Sequence, residues 1–476
     1  MKSSPVRVRF APSPTGLMHL GSVRIALFNF LFARHFNGTF ILRIEDTDLE
    51  RNFDPGGAII MEDLAWLGLS YQEGPIVGGP DAPYEQSKRG AVYQEKLTQL
   101  IQKNSVYRCF CTVEELDRKR TRQIASKQPP RYDRTCLKLT QKQIDENLLN
   151  NVPFIWRYQI PAGTIQITDL SRGNVSFDLS NFSDFPLTRE DGSFTFLFVN
   201  CVDDILMNIS HVIRGEDHLS NTANQVVLYH ALDKEVPLFW HMPIICNPEG
   251  KKLSKRDFGF SLRDLKQAGF LPEAICNYLA IIGGSFEQEI MTLTELSKAI
   301  DFKHIHTAST IKYDLEKLRW MNHQWIMRMD SPTLTDAILP FLTATYPQAA
   351  HLNRTTIEKL VSSISKEIHT LKDAPAALHY FFEAPLITKE KMLEHISPEN
   401  LELCLAIIEE KKKLLSKPEE FIKEVKQAAS EKNVPTKALF ATLRLFISGS
   451  AHGASLHDMI TLLGADEITK RLSVKI

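Results

Sequence analysis

The chain has 476 residues, more than a single hydrophobic core usually supports, so we expect several domains. Its formal net charge of −1 at pH 7 excludes a globally basic nucleic-acid binder, and any RNA contact must come from a local patch. Seven cysteines are an odd number, which argues against a disulfide framework. Arg7 and Arg9 interrupt the first apolar stretch, and the longest apolar run, 274–282, is too short to span a membrane. The sequence therefore predicts a cytoplasmic protein.

The first segment is predicted to form a βαβ unit. Apolar residues alternate over 6–10 and 39–44, which indicates strands, and recur at helical spacing over 23–36. Parallel sheets of this kind bind ligands beyond the carboxyl ends of their strands. The loop after the first strand and Glu45–Asp48 after the second are therefore expected to lie at one ligand-binding edge.

The loop Pro12–Ser22 places His19 and Gly21 at a strand-to-helix turn. The start of a helix offers unpaired N–H groups and the positive end of the helix dipole, and glycine lets the backbone approach an anion closely. His19 adds a further donor. The sequence predicts a nucleotide-phosphate site here, with an ordinary turn and a surface histidine as the alternative.

The middle of the chain is predicted to be an insertion. From Gly74 to Gly192 the pattern weakens into mixed helix and strand, and the segments 194–202 and 210–214 are predicted to return to the sheet as strands. Between Arg118 and Arg134, seven lysines and arginines are accompanied by one acid, Asp133. This run is either an RNA contact or a solvated loop.

A second basic cluster, Lys252–Arg256, follows the turn-forming segment Asn247–Gly250. Nucleotidyl transfer builds negative charge on the α-phosphate and the departing pyrophosphate, and a lysine on a loop can close onto that charge. Lys252 and Lys255 are therefore candidate phosphate ligands. Taken alone, such a run is usually a solvated surface.

The C-terminal third of the chain is predicted to be all helical. After about Arg319, apolar residues recur at helical spacing, as at Leu401, Leu403 and Ile407, with little alternation.

Two motifs resemble the two signatures of class I aminoacyl-tRNA synthetases. They are the glycine-containing segment His19–Ser22 and the basic segment Lys252–Arg256. The chain as a whole resembles bacterial glutamyl-tRNA synthetases, and the resemblance covers almost all of its length. The segments that carry it are Arg9–Gly16, Leu42–Asp48, His211–His218, Lys252–Arg256 and Asp314–Asn322.

The resemblance implies an α/β fold: a Rossmann-type catalytic domain with a parallel sheet, split by an α+β insertion and followed by an all-α anticodon-binding region. The implied segments are the first catalytic half at 1–75, the acceptor-end-binding insertion at 76–192, the second catalytic half at 193–250, the signature-loop and stem-contact domain at 251–322, and the anticodon-binding region at 323–476.

The implied reaction is the ATP-dependent activation of L-glutamate to glutamyl-adenylate, followed by transfer to the 3′ end of tRNA-Glu. ATP is expected to bring Mg²⁺ through its phosphates. The expected partners are glutamate, ATP and tRNA-Glu, with tRNA-Gln as a further possible substrate; no membrane partner is expected, and the protein is expected to be a monomer.

The resemblance also assigns the glutamate-binding residues. Arg9 and Arg214 would hold the side-chain carboxylate, because arginine forks match carboxylates. Glu45 would hold the amino group, and Ser13 would help to orient the substrate. Relatives usually have a tyrosine that contacts the amino acid where this chain has Phe196, so one hydrogen bond of roughly 1.5–3 kcal/mol is lost unless another group replaces it. A structural ion-pair network is the alternative for the charged residues.

For catalysis and ATP binding, the resemblance assigns a second group of residues. The implied catalytic residues are His19, Gly21, Lys252 and Lys255. The implied ATP ligands are His19, Asp217 and Lys255.

Some relatives bind zinc in the insertion, and this chain departs from their pattern. Cys109, Cys111 and Cys136 match three ligands, but Lys138 stands where the fourth would be. The resemblance to a truncated paralogue of the family implies Tyr132, in the same segment, as the substitute ligand if zinc binds. We expect a degenerate site with free thiols, with a zinc site as the alternative.

Other functions fit parts of the sequence. A truncated paralogue of the family glutamylates queuosine in tRNA, but the long helical segment after Arg319 argues against it. A non-discriminating enzyme that also charges tRNA-Gln stays open. A small-molecule nucleotidyltransferase and an inactive RNA-binding relative are further alternatives, and the presence of His19 and Lys255 argues against the inactive relative.

Overall fold

The computed structural model describes residues 5–48, 52–254, 257–282, 286–302 and 310–474. Lys255, one of the predicted phosphate ligands, lies outside the described residues. The chain forms two compact units, one of residues 1–264 and 276–314 and the other of residues 265–275 and 315–476. Within the described ranges, no helix is both long and apolar enough to cross a membrane. The finer division into five segments stays a prediction.

All described strands belong to the first unit. They are β1 (Arg7–Phe10), β2 (Thr39–Leu42), β3 (Val106–Cys109), β4 (Ile155–Tyr158), β5 (Thr164–Asp169), β6 (Gly173–Asp178), β7 (Phe185–Pro186), β8 (His211–Gly215), β9 (Leu238–Met242), β10 (Ile245–Cys246) and β11 (Ile311–Lys312).

The described helices are distributed over both units. Those that begin before residue 300 are α1 (Leu20–His35), α2 (Ala58–Trp66), α3 (Gly90–Gln102), α4 (Val113–Ala125), α5 (Gln141–Leu149), α6 (Phe196–Leu206), α7 (Leu219–Ala231), α8 (Leu262–Gln267), α9 (Pro272–Ile281) and α10 (Leu293–Ala299). Those that begin after residue 310 all lie in the second unit and are α11 (Leu315–Ile326), α12 (Ser331–Thr345), α13 (Arg354–Ile364), α14 (Ala374–Ala377), α15 (His379–Phe382), α16 (Lys389–Leu393), α17 (Pro398–Lys411), α18 (Pro418–Glu431), α19 (Thr436–Ser448), α20 (Leu456–Leu463) and α21 (Ala465–Leu472).

The predicted βαβ unit is confirmed. β1 and β2 pair in parallel, and α1 connects them. The backbone N–H of Ser210 donates to the carbonyl of Arg7, which sets β8 beside β1. β8 and β9 pair in parallel, and the antiparallel hairpin β5–β6 joins them in the order β6-β5-β9-β8. The carboxyl ends of β1, β2 and β8 therefore meet at one edge.

The prediction of a returning strand over 194–202 is wrong, because this segment forms the helix α6. Its residues 198–205 are all buried, and a short apolar run without alternation does not distinguish a buried strand from a buried helix. The spacing of the polar residues does indicate a helix, because Asn200, Asp203 and Asp204 have the i, i+3, i+4 spacing of one helix face. The second predicted returning strand is confirmed as β8.

The second unit confirms the all-helical prediction for the C-terminal third, within the residues that the structure describes. Buried residues of its helices form a common core, among them Leu360, Phe421 and Leu443. Leu403 is an exception to the predicted apolar face, because its side chain is 40% exposed. It lies two residues from the buried Leu401, which puts the two on opposite faces of α17.

Candidate active site

A cavity of about 420 Å³ opens at the carboxyl ends of β1 and β8, beside the start of α1. It brings together all the residues predicted for glutamate and ATP that the structure describes. Those that line it are Arg9, Ser13, His19, Gly21, Glu45, Phe196, Arg214, Asp217 and Lys252.

His19 caps the amino end of α1. Its Nδ1 accepts the backbone N–H of Ser22 at 3.1 Å, and its ring stacks on Phe260 with the centroids 5.3 Å apart. Burial and the charge of Lys252 lower the pKa of His19, so the ring is neutral and carries its hydrogen on Nε2. A Cβ at Gly21 would lie 3.0 Å from the His19 ring, so a residue without a side chain suits this turn.

Lys252 and Asp217 form an ion pair at the more exposed side of the cavity. Lys252 Nζ donates to Asp217 Oδ2 at 3.0 Å, and their side chains are 63% and 51% exposed. Burial raises the pKa of the Asp217 carboxyl, but the hydrogen bond from Lys252 outweighs it and the pKa lies below its usual range. Lys252 also pairs with Cys246 in an antiparallel bridge, so the backbone there is anchored to the end of β10.

Two arginines and two carboxylates form a buried network on the opposite side. Arg9 Nε and Nη2 donate to the two oxygens of Asp204 at 3.0 and 3.1 Å. Arg43 Nη1 donates to Asp204 at 2.7 Å, and Arg43 Nη2 donates to Glu45 Oε1 at 3.0 Å. Burial raises the pKa of Asp204, but Arg9 and Arg43 outweigh it and hold the pKa below its usual range. Burial raises the pKa of Glu45, and its partners offset this only in part.

Arg214 lies in the cavity wall and is held by neutral acceptors. Its Nη2 donates to Thr222 Oγ1 at 2.7 Å and its Nε to His241 Nε2 at 3.4 Å. Among the described residues, its Nη1 has no hydrogen-bond partner. Burial lowers the pKa of Arg214 to about 10, which leaves the guanidinium charged at pH 7.

Phe196 begins α6 and contributes its ring to the cavity wall, where it lies against His218 with the centroids 5.8 Å apart. One turn later, Asn200 donates to Glu45 Oε1 at 2.6 Å and accepts from Gln225 at 2.7 Å. The sequence analysis did not identify Asn200, because it assigned this segment to a strand.

A separate cluster of thiols lies in the insertion. The sulfur atoms of Cys109, Cys111 and Cys136 are all within 4.8 Å of one another. The Tyr132 hydroxyl lies 3.3 Å from Cys109 Sγ and 3.7 Å from Cys111 Sγ. A hydrogen bond from Cys136 holds the pKa of the Cys109 thiol below its usual range. The structure thus brings together the four side chains predicted for metal binding, and Lys138 is exposed.

Next to the thiols lies a basic pocket, which we define by Lys119, Arg120, Arg131 and Arg157. No acidic residue is among those that the structure describes in its wall. Arg157 is only 5% exposed and stacks on the Tyr132 ring, with its guanidinium carbon 4.2 Å from the centroid. Three of the seven basic residues of the predicted run, Lys119, Arg120 and Arg131, therefore surround a concave site rather than a solvated loop.

Comparison with known proteins gives two family matches. Residues 5–320 match the model of tRNA synthetases class I (E and Q), catalytic domain, and residues 333–476 match an anticodon binding domain. A glutamate–tRNA ligase of a Sulfurihydrogenibium species is 40% identical over 98% of each chain. The chain belongs to the glutamate–tRNA ligase family of class I synthetases.

Other members of this family are similar to this chain over nearly its full length. The glutamate–tRNA ligase of Carboxydothermus hydrogenoformans is 37% identical over 98% of this chain and 99% of its own. The crystal structure of the glutamate–tRNA synthetase from Elizabethkingia anophelis superposes with a TM-score of 0.87 at 33% identity, over 98% of this chain and 99% of its own. A second crystal structure, from Elizabethkingia meningosepticum, is described as a complex with its amino acid and gives a TM-score of 0.86 at 32% identity, over 98% of each chain. The class I synthetase fold and a helical anticodon-binding domain are therefore features of this chain.

Proposed function

We propose that this chain is a glutamate–tRNA ligase. It activates L-glutamate with ATP to glutamyl-adenylate and pyrophosphate, and it transfers the glutamyl group to the 3′ end of tRNA-Glu. One observation carries the proposal: a single cavity joins two buried arginines on one side to a helix start with a histidine and a lysine on the other.

The arginine side suits the side-chain carboxylate of glutamate. Asp204 occupies Nε and Nη2 of Arg9, and neutral acceptors occupy the same two nitrogens of Arg214. Each guanidinium thus keeps Nη1 for the substrate; Arg9 Nη1 makes only a long contact of 3.5 Å to a carbonyl. Among the described residues, every hydrogen bond to the Glu45 carboxylate uses Oε1, so Oε2 is left for the ammonium group of the substrate. Ser13 borders the same space.

The other side suits the phosphates of ATP. The N–H of Gly21 at the start of α1 and the Nε2–H of His19, which lies 3.0 Å from Ser22 Oγ in this structure, are donors. Lys252 supplies a charge that can leave Asp217 for a phosphate. Lys255 lies outside the described residues and keeps its proposed role from the family motif. Mg²⁺ would arrive with the ATP phosphates rather than in a site formed by protein ligands alone.

The reaction needs positioning and charge stabilisation more than a general base. An oxygen of the substrate α-carboxylate is already a nucleophile, and it attacks the α-phosphorus as pyrophosphate leaves. Lys252 and Lys255, the cations of the phosphate side, stabilise the charge that accumulates on the leaving group. The terminal ribose hydroxyl of tRNA then takes the glutamyl group from the adenylate.

For tRNA we propose contacts in both units. The basic pocket of the insertion offers Lys119, Arg120 and Arg131 to the phosphate backbone of the acceptor end, with the buried Arg157 adding positive charge behind them. The second unit, which matches an anticodon binding domain, is the candidate for the anticodon. Its presence favours a full synthetase over the truncated queuosine-type paralogue. We propose tRNA-Glu as the substrate and a monomer as the active form.

Zinc is not part of the proposed function. A tetrahedral zinc with Zn–S bonds of about 2.3 Å suits the three clustered sulfurs of Cys109, Cys111 and Cys136, and it would only brace the insertion. The fourth position falls to the hydroxyl of Tyr132, which in this structure instead accepts hydrogen bonds from the Cys109 thiol and from the backbone N–H of Cys136. Three strong ligands and one weak one favour a site of low zinc occupancy.

The decisive experiment is aminoacylation with purified tRNA-Glu and tRNA-Gln side by side, together with pyrophosphate exchange with and without tRNA. We expect charging of tRNA-Glu and exchange only when tRNA is added. Comparable charging of both tRNAs would establish a non-discriminating enzyme. Strong exchange without RNA, with no charging of either tRNA, would contradict the proposal and favour the queuosine-type activity.

A further inference from the structure

A chain of buried hydrogen bonds leads from the inserted segment to Arg214. Asp169, the last residue of β5, lies with Oδ2 2.7 Å from His241 Nδ1. On the other side of the ring, His241 Nε2 lies 2.9 Å from Thr222 Oγ1 and receives Arg214 Nε at 3.4 Å. Asp169, Thr222 and His241 are at most 1% exposed, and none of them is among the residues that line the cavity. They can act on a ligand only through Arg214.

The direction of each hydrogen bond between Asp169 and Arg214 follows from the charges of these two residues. The Asp169 carboxylate only accepts, because the hydrogen bonds from His241 and Ser171 outweigh the effect of burial and hold its pKa below the usual range. His241 Nδ1 therefore carries a hydrogen. Burial and Arg214 lower the pKa of His241 despite Asp169, so the ring is neutral and Nε2 is a lone-pair acceptor.

An acceptor at Nε2 is what a guanidinium requires, because arginine only donates. Arg214 Nη2 donates a hydrogen bond to the Thr222 hydroxyl, and this hydroxyl donates a hydrogen bond to His241 Nε2. With the opposite tautomer, the Nε2–H would point at the N–H of Arg214 Nε, and the Thr222 hydroxyl would give its hydrogen to the His218 carbonyl at 3.3 Å instead of to His241. The carboxylate of Asp169 thus selects the tautomer, and the tautomer fixes two of the three nitrogens of Arg214.

The position of Asp169 is itself fixed by the turn after β5. Its Oδ1 accepts from Ser171 N and Ser171 Oγ at 2.9 and 2.8 Å and from Arg172 N at 3.0 Å, and its Oδ2 also accepts the backbone N–H of His241 at 3.0 Å. This turn belongs to the segment predicted as the insertion. The insertion therefore supplies a carboxylate to the architecture of the amino-acid pocket as well as a surface for RNA.

We propose that Asp169, His241 and Thr222 form a positioning relay that holds Arg214 with Nη1 free for the side-chain carboxylate of glutamate. This inference rests on the proposed function, in which Arg214 binds that carboxylate. The three residues are positioning residues, because they do not touch the substrate. A merely structural role would affect folding and all kinetic constants alike, whereas the relay affects the affinity for glutamate.

The first test compares two variants of Thr222 that differ in the hydroxyl. Thr222→Val keeps the shape and removes the hydroxyl, so we expect the KM for glutamate to rise roughly 10-fold or more, while the KM for ATP and kcat stay within about twofold. Thr222→Ser keeps the hydroxyl and should restore the KM for glutamate to within about threefold of the wild type. Arg214→Lys, measured in parallel, reports whether the arginine itself binds glutamate.

The outcomes distinguish a failure of the positioning relay from a failure of the proposed function. If Arg214→Lys raises the KM for glutamate and Thr222→Val does not, the relay is overturned and the proposed function stands. If Arg214→Lys leaves this KM unchanged while the wild type charges tRNA-Glu, the assignment of Arg214 under the proposed function is wrong. If Thr222→Val raises the KM for ATP as much as that for glutamate, the role is structural and the relay is overturned.

A second test does not depend on the folding of the Thr222 variants. The chain has 15 histidines, and ¹⁵N labelling of their rings lets NMR distinguish the two neutral tautomers. Comparison with His241→Gln identifies the His241 signals. We expect a neutral ring with the hydrogen on Nδ1 at pH 7. A ring with the hydrogen on Nε2, or on both nitrogens, would overturn the relay.

Discussion

The two sides of the cavity are built in opposite ways. On the glutamate side, the side chains of Arg9, Arg43 and Asp204 are 0–4% exposed and hold one another through ion pairs. On the phosphate side, Lys252 and Asp217 are more than half exposed and share a single hydrogen bond. A buried pair cannot easily rearrange, because each partner would be left as an unpaired charge away from water. An exposed pair separates at little cost.

This difference matches the two ligands. An amino acid is small and must be distinguished from its neighbours, which requires donors that are already in place before binding. The phosphates of ATP change their charge distribution during the reaction, so the cations around them must be able to shift toward the leaving group. Selectivity and charge stabilisation are thus assigned to different degrees of burial within one cavity.

The largest effect on stability is expected for a substitution on the buried glutamate side. Asp204→Asn should lower the free energy of unfolding by about 3–5 kcal/mol, because Arg9 and Arg43 lose their shared carboxylate. Asp217→Asn, the matched change on the exposed side, should cost less than about 1 kcal/mol. Urea denaturation of both variants at pH 7 measures the difference. Equal losses would show that burial does not separate the two sides.

The same pair of variants gives a pH dependence with a fixed sign. The pKa of Asp204 is lowered in the folded protein, so its carboxylate contributes stability above the unfolded pKa of about 3.9, and this contribution is lost as the pH falls through the folded pKa. The destabilisation by Asp204→Asn should therefore be full at pH 7 and shrink in acid, below about pH 4. A penalty that stays constant down to pH 2 would contradict this origin.

The next effect concerns the catalytic charge on the phosphate side. Lys255→Ala should slow adenylate formation roughly 10²-fold or more, as expected for removing one stabiliser of transition-state charge, while the affinity for glutamate changes little. Lys251→Ala, in the exposed turn that precedes the motif, is the control and should be nearly neutral. Single-turnover kinetics measures both. A near-normal rate for Lys255→Ala would show that the phosphates do not depend on this lysine.

A smaller effect sharpens the glutamate side. Phe196→Tyr adds a hydroxyl at the cavity wall, and we expect the KM for glutamate to fall by up to roughly 10-fold, since a hydrogen bond to a charged group is gained for a small change in volume. The KM for ATP serves as the internal control and should not change. A higher KM for glutamate would mean that the pocket is packed around the phenyl ring.

The smallest effect is expected for metal. The purified protein should contain well under one equivalent of zinc, and charging of tRNA-Glu should persist in chelator, because only three strong ligands converge. Elemental analysis and aminoacylation by Cys109→Ser check this. Stoichiometric zinc that is lost together with charging in the variant would establish Tyr132 as a working fourth ligand.

The sequence predicted the residues of the cavity better than the contacts that hold them. Motifs such as His19–Ser22 identify residues by local spacing, and the structure places them at the cavity as expected. Asp204 lies just after the run 194–202 that was assigned to a strand, and its partners Arg9 and Arg43 are distant in sequence. His241 likewise gave no local signal, because its function depends on Asp169 in another strand. Buried networks are set by tertiary pairing, which a single sequence does not display.

The hairpin β5–β6 has a consequence for grafting between relatives. Asp169 of this hairpin pairs with Phe239 of β9, so the inserted segment contributes two strands to the sheet that contains β8. Replacing 76–192 by a short linker would strip two strands from that sheet and leave β9 as a bare edge, open to pairing with other chains. A chimera that exchanges acceptor-end specificity should therefore keep the host hairpin and join the donor segment before Thr164.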